Sequence, residues 1–173
     1  MLYIDIDGVL ANTDKYILSL NPDAEHDTHI LFKTMYRNYK TMFRESEPLV
    51  DLSIVKGFGD FTLLTALPLK EKIDSFCADD IETKIVLDTF SVNKRAWVKK
   101  YFGEDQKIII VGKRSEKAKL CKGPADILID DSDSNCKKWK EAGGQSYHSI
   151  EEYINRDSVG GVNDFAEDKC DLW

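Results

Sequence analysis

The chain opens with Met1-Leu-Tyr-Ile-Asp-Ile-Asp-Gly-Val-Leu-Ala-Asn-Thr13 (MLYIDIDGVLANT), an apolar stretch that carries two acids. Leu2, Tyr3, Ile4 and Ile6 form an apolar run of strand length, yet Asp5 and Asp7 sit inside and just after it. Carboxylates are costly to bury without a partner. Either the two acids lie in a turn and face water, or they hold a cation at the end of a buried strand.

Other strands of the same kind settle which reading to prefer. FTLLT (61–65), KIIIV (107–111) and DILID (126–130) are short apolar runs, as expected for strands of a parallel sheet covered on both faces. KIVLD (84–88) reads as a further strand. Helical segments are expected between them, around 69–78, over SVNKRAWVKKYFG (91–103) with Ser91 or Asn93 as N-cap and Gly103 as its end, and near Asp133–Ala142. Asp133 reads as a helix N-cap, and Gly143-Gly144 close that helix. A short strand (QSYHS) and a helix (IEEYI) complete the pattern. Alternating strands and helices predict an α/β fold with a doubly wound, Rossmann-like parallel sheet.

The segment between the first two strands differs. In Thr28–Phe43, Ile30, Leu31, Met35, Tyr39 and Met42 fall near helical spacing, and Pro48 and Gly57-Phe-Gly59 interrupt the region. It predicts a small helical cap, residues 13–60, inserted after the first strand of a core formed by residues 1–12 and 61–155. Residues 156–173 carry five acids and two cations and read as an acidic C-terminal tail, with Phe165 and Trp173 as possible anchors.

Composition narrows the function. The 173 residues suit one domain, and 42% hydrophobic with 32% charged residues suffices for a core. The four cysteines form no C-x-x-C pair, which argues against zinc or a disulfide framework. A net charge of −7 disfavours long nucleic acid, and no run approaches a membrane span. With no basic leader flank, an intracellular, cytoplasmic protein is expected.

In open parallel sheets, ligands bind beyond the carboxyl ends of the strands. Asp5 and Asp7 end the first strand, Thr65 the second and Asp130-Asp131 the DILID strand, while GKRSEKAKLCK (112–122) follows KIIIV to the same edge. So many carboxylates together call for a hard divalent cation, and oxygen donors without histidine favour Mg²⁺ over zinc. Carboxylate, cation, hydroxyl and lysine can hold a phosphoryl group from several sides. An EF-hand is a poor fit, since DIDG lacks the remaining ligand spacing. His26, His29 and His148 read as surface or structural, Trp97 and Trp139 as core, and Lys70 as solvated.

In this order, DIDGV (5–9), LLTAL (63–67), a downstream lysine and DILIDD (126–131) resemble the motifs of the haloacid dehalogenase-like (HAD) phosphohydrolases. DIDGVLAN, the T-x-x-P at 65–68, AWVKKYFG (96–103) and ADILIDDS (125–132) resemble the 5'(3')-deoxyribonucleotidases within them, over the core but not the cap. The resemblance implies a Mg²⁺-dependent phosphomonoesterase for a small phosphorylated substrate, a nucleoside monophosphate. Asp5 would be the nucleophile and Asp7 the acid/base. Thr65 would donate to a phosphoryl oxygen, with Gly8 and Ala66 at the substrate. Asp131 would complete the metal shell with Asp5 and the backbone carbonyl of Asp7, supported by Asp130. Lys113, Lys117, Lys119 and Lys122 compete for the phosphate-binding lysine, Lys117 fitting best and Lys119 second. The departures, a long 69–90 connection and an unmatched cap, touch specificity. The same chemistry on another metabolite or a nucleic-acid end, or a non-catalytic binding module of this fold, are the alternatives.

Overall fold

The computed structural model describes residues 1–156. The expected acidic tail thus lies outside the described residues, apart from Arg156.

Five parallel strands make one sheet in the order β3-β2-β1-β4-β5: β1 is Leu2–Ile4, β2 Phe61–Ala66, β3 Ile108–Val111, β4 Ile127–Ile129 and β5 Gln145–Tyr147. Ile4 pairs with Leu63 on one side and Ile129 on the other, so β1 is central. The chain runs outward from β1 to β3, then crosses to β4. The crossing leaves a switch point between β1 and β4, where connections depart in opposite directions and a crevice opens.

Alternation along the strands sends side chains to two faces. Leu2, Ile4, Leu63 and Ile129 pack with Trp97 and Val98 of α5 (Asp80–Phe102), Val55 of α3 (Leu52–Lys56) and Ile150 of α7 (Ile150–Asn155). Tyr3, Leu64 and Leu128 pack with Trp139 of α6 (Asp133–Glu141) and with Leu120 at the end of a 3-10 segment, Arg114–Leu120. Both faces are therefore covered, which is what the apolar strands required. Ser132, and not the expected Asp133, caps α6: its side chain accepts from the Asn135 N–H.

A second apolar cluster lies apart from the sheet. It joins Ile17 of α1 (Thr13–Leu20), Leu31, Phe32 and Met35 of α2 (Thr28–Arg37), the following turns through Met42 and Phe43, Ile73 of α4 (Lys70–Asp74), and Val86 and Phe90 of α5. The expected long helix from Thr28 stops at Arg37, and Asn38 caps it. Residues 10–12 and 47–49 run side by side where the chain leaves the sheet and returns: Asn12 N–H donates to Glu47 O at 2.8 Å and Leu49 N–H to Leu10 O at 2.8 Å. α3, beyond that return, packs on the sheet.

The expected strand at 84–88 does not form. Asp79 caps a single 23-residue helix, α5, that absorbs it together with the proposed caps Ser91 and Asn93. The buried positions Thr83, Val86, Phe90, Asn93, Lys94, Trp97 and Val98 follow helical spacing, while Ile85 stays 52% exposed. A short apolar run does not by itself distinguish strand from helix, and here the longer periodicity prevails. Gly103 ends the helix as expected, with φ +94°. The first half of α5 packs in the helical cluster and its second half against the sheet, so one rigid rod joins the two.

Candidate active site

Strand register brings the acids together. Asp5 follows Ile4 and Asp130 follows Ile129, its paired residue, and the Asp5 N–H donates to Ile129 O at 2.8 Å. Asp5 is 6% exposed and Asp130 is fully buried. Lys117, also buried, bridges them from the 3-10 segment: its ammonium donates to Asp5 Oδ2 at 2.6 Å and to Asp130 Oδ2 at 2.7 Å. Asp5 Oδ1 accepts from the Ile6 N–H at 2.7 Å.

Asp130 is further occupied by α6. The Ser132 N–H donates to its Oδ1 at 3.1 Å, and the Asn135 amide reaches Oδ1 and Oδ2 at 2.9 and 3.0 Å. With both oxygens committed, Asp130 is suited to hold Lys117 and the loop in place. Asp131 is exposed, and its carboxylate lies against Gly8. A Cβ on Gly8 would lie 2.0 Å from Asp131 Oδ2, and Gly8 has φ +72°. Glycine there is required by backbone and by space.

Asp5, Asp130 and Asp131 each offer a carboxylate oxygen, and those oxygens lie within 4.8 Å of one another. With all three carboxylates ionised, the one ammonium of Lys117 would leave a net charge of −2, which a divalent cation would balance. Oxygen donors alone suit a hard ion. The acidic triad can therefore hold a metal. Burial above all pushes Asp5 up to about 6; the negative Asp130 and Asp7 add to the rise, and Lys117 opposes it. Asp131 is also held above the usual carboxylate range, by burial first and then by Asp5 and Asp130. Water at its exposed side screens part of that rise. Burial works against the Lys117 charge, but Asp130 and Asp5 outweigh it and hold the ammonium above the ordinary lysine range.

Asp7 belongs to a second group. Its carboxylate does not join the triad; Oδ2 accepts from the Thr65 hydroxyl at 2.9 Å and from the Lys94 ammonium. Lys94 Nζ also donates to Thr65 Oγ1 at 2.9 Å. Lysine only donates and an ionised carboxylate only accepts, so the Thr65 hydroxyl proton must point to Asp7. The expected donation from Thr65 to a phosphoryl oxygen is therefore spent on Asp7 in this state.

Of the four competing lysines, only Lys117 reaches the acids. Lys113 pairs with Glu71 at 2.9 Å, Lys119 with Glu116 at 3.6 Å, and both are exposed, as is Lys122. Ala66 ends β2 beside Thr65. Lys70 pairs with Asp80 at 3.3 Å, His26 and His29 are exposed, and Trp97 and Trp139 are fully buried.

Sequence reasoning missed Lys94 and Asn135. A lysine recurring among the buried positions of an amphipathic helix was the signal for Lys94, hidden by the supposed strand at 84–88. Asn135 left no comparable trace. No protein-family model matches the chain, and no curated protein does.

Proposed function

We propose that this protein is a divalent-cation-dependent phosphomonoesterase of HAD type, acting on a small phosphorylated substrate, with nucleoside monophosphates as the first class to test. One observation carries the reading. A buried lysine binds the acid that ends β1 and the acid that ends β4, beside a third carboxylate, while a second acid two residues on is held by a hydroxyl and another ammonium.

In this reading Asp5 attacks phosphorus, the P–O ester bond breaks, and its electron pair leaves with the ester oxygen. Asp7 gives that oxygen its proton. The ester is thus split into an alcohol and a phosphoryl group carried on Asp5. Water then attacks the same phosphorus, Asp7 takes a proton from it, and the Asp5–phosphorus bond breaks to restore the carboxylate and free phosphate. Asp5, with a pKa of about 6, is mostly ionised at neutral pH and ready for the first step. Lys117 neutralises it and anchors it against Asp130. A cation held by Asp5 and Asp131, Mg²⁺ by donor type, would neutralise phosphoryl charge when bound. The nucleotide preference rests on the sequence resemblance. Among the described residues no helix is long and apolar enough to cross a membrane.

The test is phosphate release from a panel of ribo- and deoxynucleoside monophosphates and an aryl phosphate, with Mg²⁺ or EDTA. Turnover that needs Mg²⁺ and falls at least ~10³-fold in Asp5→Asn is expected. Turnover of the aryl phosphate alone would discard the nucleotide, and absence of turnover on all substrates would overturn the reading.

A further inference from the structure

Lys94 has a place in the site that the reaction scheme above leaves without a task. It is 1% exposed, on a helix whose other buried positions are uncharged. Burying an ammonium is costly, and this one is held by three groups. Two are Asp7 Oδ2 and Thr65 Oγ1. The third is the ring of Phe43, whose centroid lies 4.0 Å from Nζ. Phe43 has φ +67°, among the described residues the only non-glycine with a positive φ. A bulky aromatic side chain rarely adopts that backbone, and the cost must be met by its surroundings. The return is a ring face laid against the ammonium, an attraction that strengthens away from water. α5 is tied to the same stretch next door, where Asn93 Nδ2 donates to Tyr39 O at 2.8 Å and Trp97 Nε1 to Ser46 O at 2.8 Å.

The Asp7 carboxylate shows what this support achieves. Oδ2 has two donors, whereas Oδ1 is buried and has no hydrogen-bond partner among the described residues. A buried carboxylate oxygen without a partner is costly and calls for an explanation. We propose that Lys94 is a positioning residue for proton transfer: with Thr65 it grips Asp7 by Oδ2, leaving Oδ1 as the oxygen that meets the substrate's leaving group. Phe43 holds Lys94 in that position from the helical cluster. The inference rests on the phosphomonoesterase reading and deepens it. Lys94 itself transfers no proton; the proton moves between Asp7 Oδ1 and the ester oxygen.

The test varies the leaving group. An alkoxide leaving from a nucleotide needs its proton, whereas 4-nitrophenolate leaves 4-nitrophenyl phosphate readily without one. kcat/KM covers the steps up to the first irreversible one, transfer to Asp5, so it isolates donation from Asp7. Lys94→Met keeps the stem against Phe43 and removes the grip; Lys94→Gln is the second variant should Met not fold, with thermal unfolding followed for both. On the best nucleotide, kcat/KM is expected to fall by ~10²-fold or more, and on 4-nitrophenyl phosphate by less than about threefold. Added to Asp7→Asn, the Lys94 substitution is expected to cause little further loss on the nucleotide. An equal loss on both substrates, or full additivity with Asp7→Asn, would overturn the proposal and leave the phosphatase reading standing. Wild-type protein inactive on both substrates would remove the two together.

Discussion

Lys117 and Lys94 are both buried and both grip aspartates at the carboxyl edge of the sheet, but their electrostatic settings differ. Lys117 stands between two buried carboxylates beside a third, so its group carries excess negative charge. Lys94 faces one carboxylate, a hydroxyl and an aromatic ring, so its group is balanced once Asp7 has given up its proton. The first arrangement is incomplete without another cation. With Asp7 ionised the second is complete in charge, and among the described residues it is unfinished in hydrogen bonding at Asp7 Oδ1. An excess of charge recruits a metal, whereas a single unpaired oxygen is suited to meeting one substrate atom.

The largest effect that would sharpen this contrast comes from Lys117→Met. Removing the ammonium leaves Asp5 and Asp130 buried side by side. Breaking a buried ion group in this way costs on the order of 3–5 kcal/mol. In EDTA the variant is expected to unfold at markedly lower denaturant, with Mg²⁺ recovering part of the loss. Unchanged stability in EDTA would mean that Lys117 does not balance the pair.

The next effect depends on pH. Without a cation, Asp5 holds its proton up to about 6 in the folded state, while in the unfolded chain it releases it near the ordinary carboxylate value of about 4. Between those values the folded state binds more protons, so this residue makes the protein less stable as pH rises. The deficit is complete above about 6. Asp5→Asn abolishes it, so in EDTA the variant is expected to gain on wild type from pH 4 to 6 by up to about 3 kcal/mol, then plateau. Equilibrium unfolding of both proteins across that range reads the difference directly. A gap that does not change with pH would place the Asp5 charge at no cost.

Smaller again is the effect of Gly8→Ala. An alanine at φ +72° costs about 1–2 kcal/mol, and its Cβ would drive the Asp131 carboxylate away. Because Asp131 belongs to the charge-rich group, the variant is expected to lose more of the Mg²⁺-induced stabilisation than of its metal-free stability. Calorimetric titration with Mg²⁺ and unfolding in EDTA separate the two. Equal Mg²⁺ affinity in variant and wild type would detach Asp131 from the metal.

The same contrast governs what could be read from the sequence. Asp5, Asp7, Thr65, Asp130 and Asp131 each end or follow an apolar strand, and a parallel sheet collects such positions at one edge whatever the helices do. Lys117 follows β3 in sequence, so its route to that edge was visible too. Lys94 arrives by another route, from the middle of α5, and its place depends on how the second cluster folds. Reading 84–88 as a strand cut the helix and hid the spacing from Thr83 to Val98 that marks position 94 as buried. Phe43 was harder still. Its positive φ lies within the turns after α2, and nothing in an aromatic residue's own preferences signals it.

The smallest expected effect tests whether burial, and not mere proximity in sequence, distinguishes the working lysine. Lys119 lies two residues from Lys117 on a 3-10 segment, where three residues complete a turn. A shift of two therefore sends the side chain to another side. It meets Glu116 at 3.6 Å with 73% of its side chain exposed. An exposed ion pair of that kind is worth little. Lys119→Ala is expected to leave stability within about 0.5 kcal/mol and phosphate release within about twofold of wild type. A loss comparable to that of Lys117→Met would mean that the segment rearranges when substrate binds and brings the second lysine inward. Steady-state kinetics on the substrate that wild type turns over best decides between these outcomes.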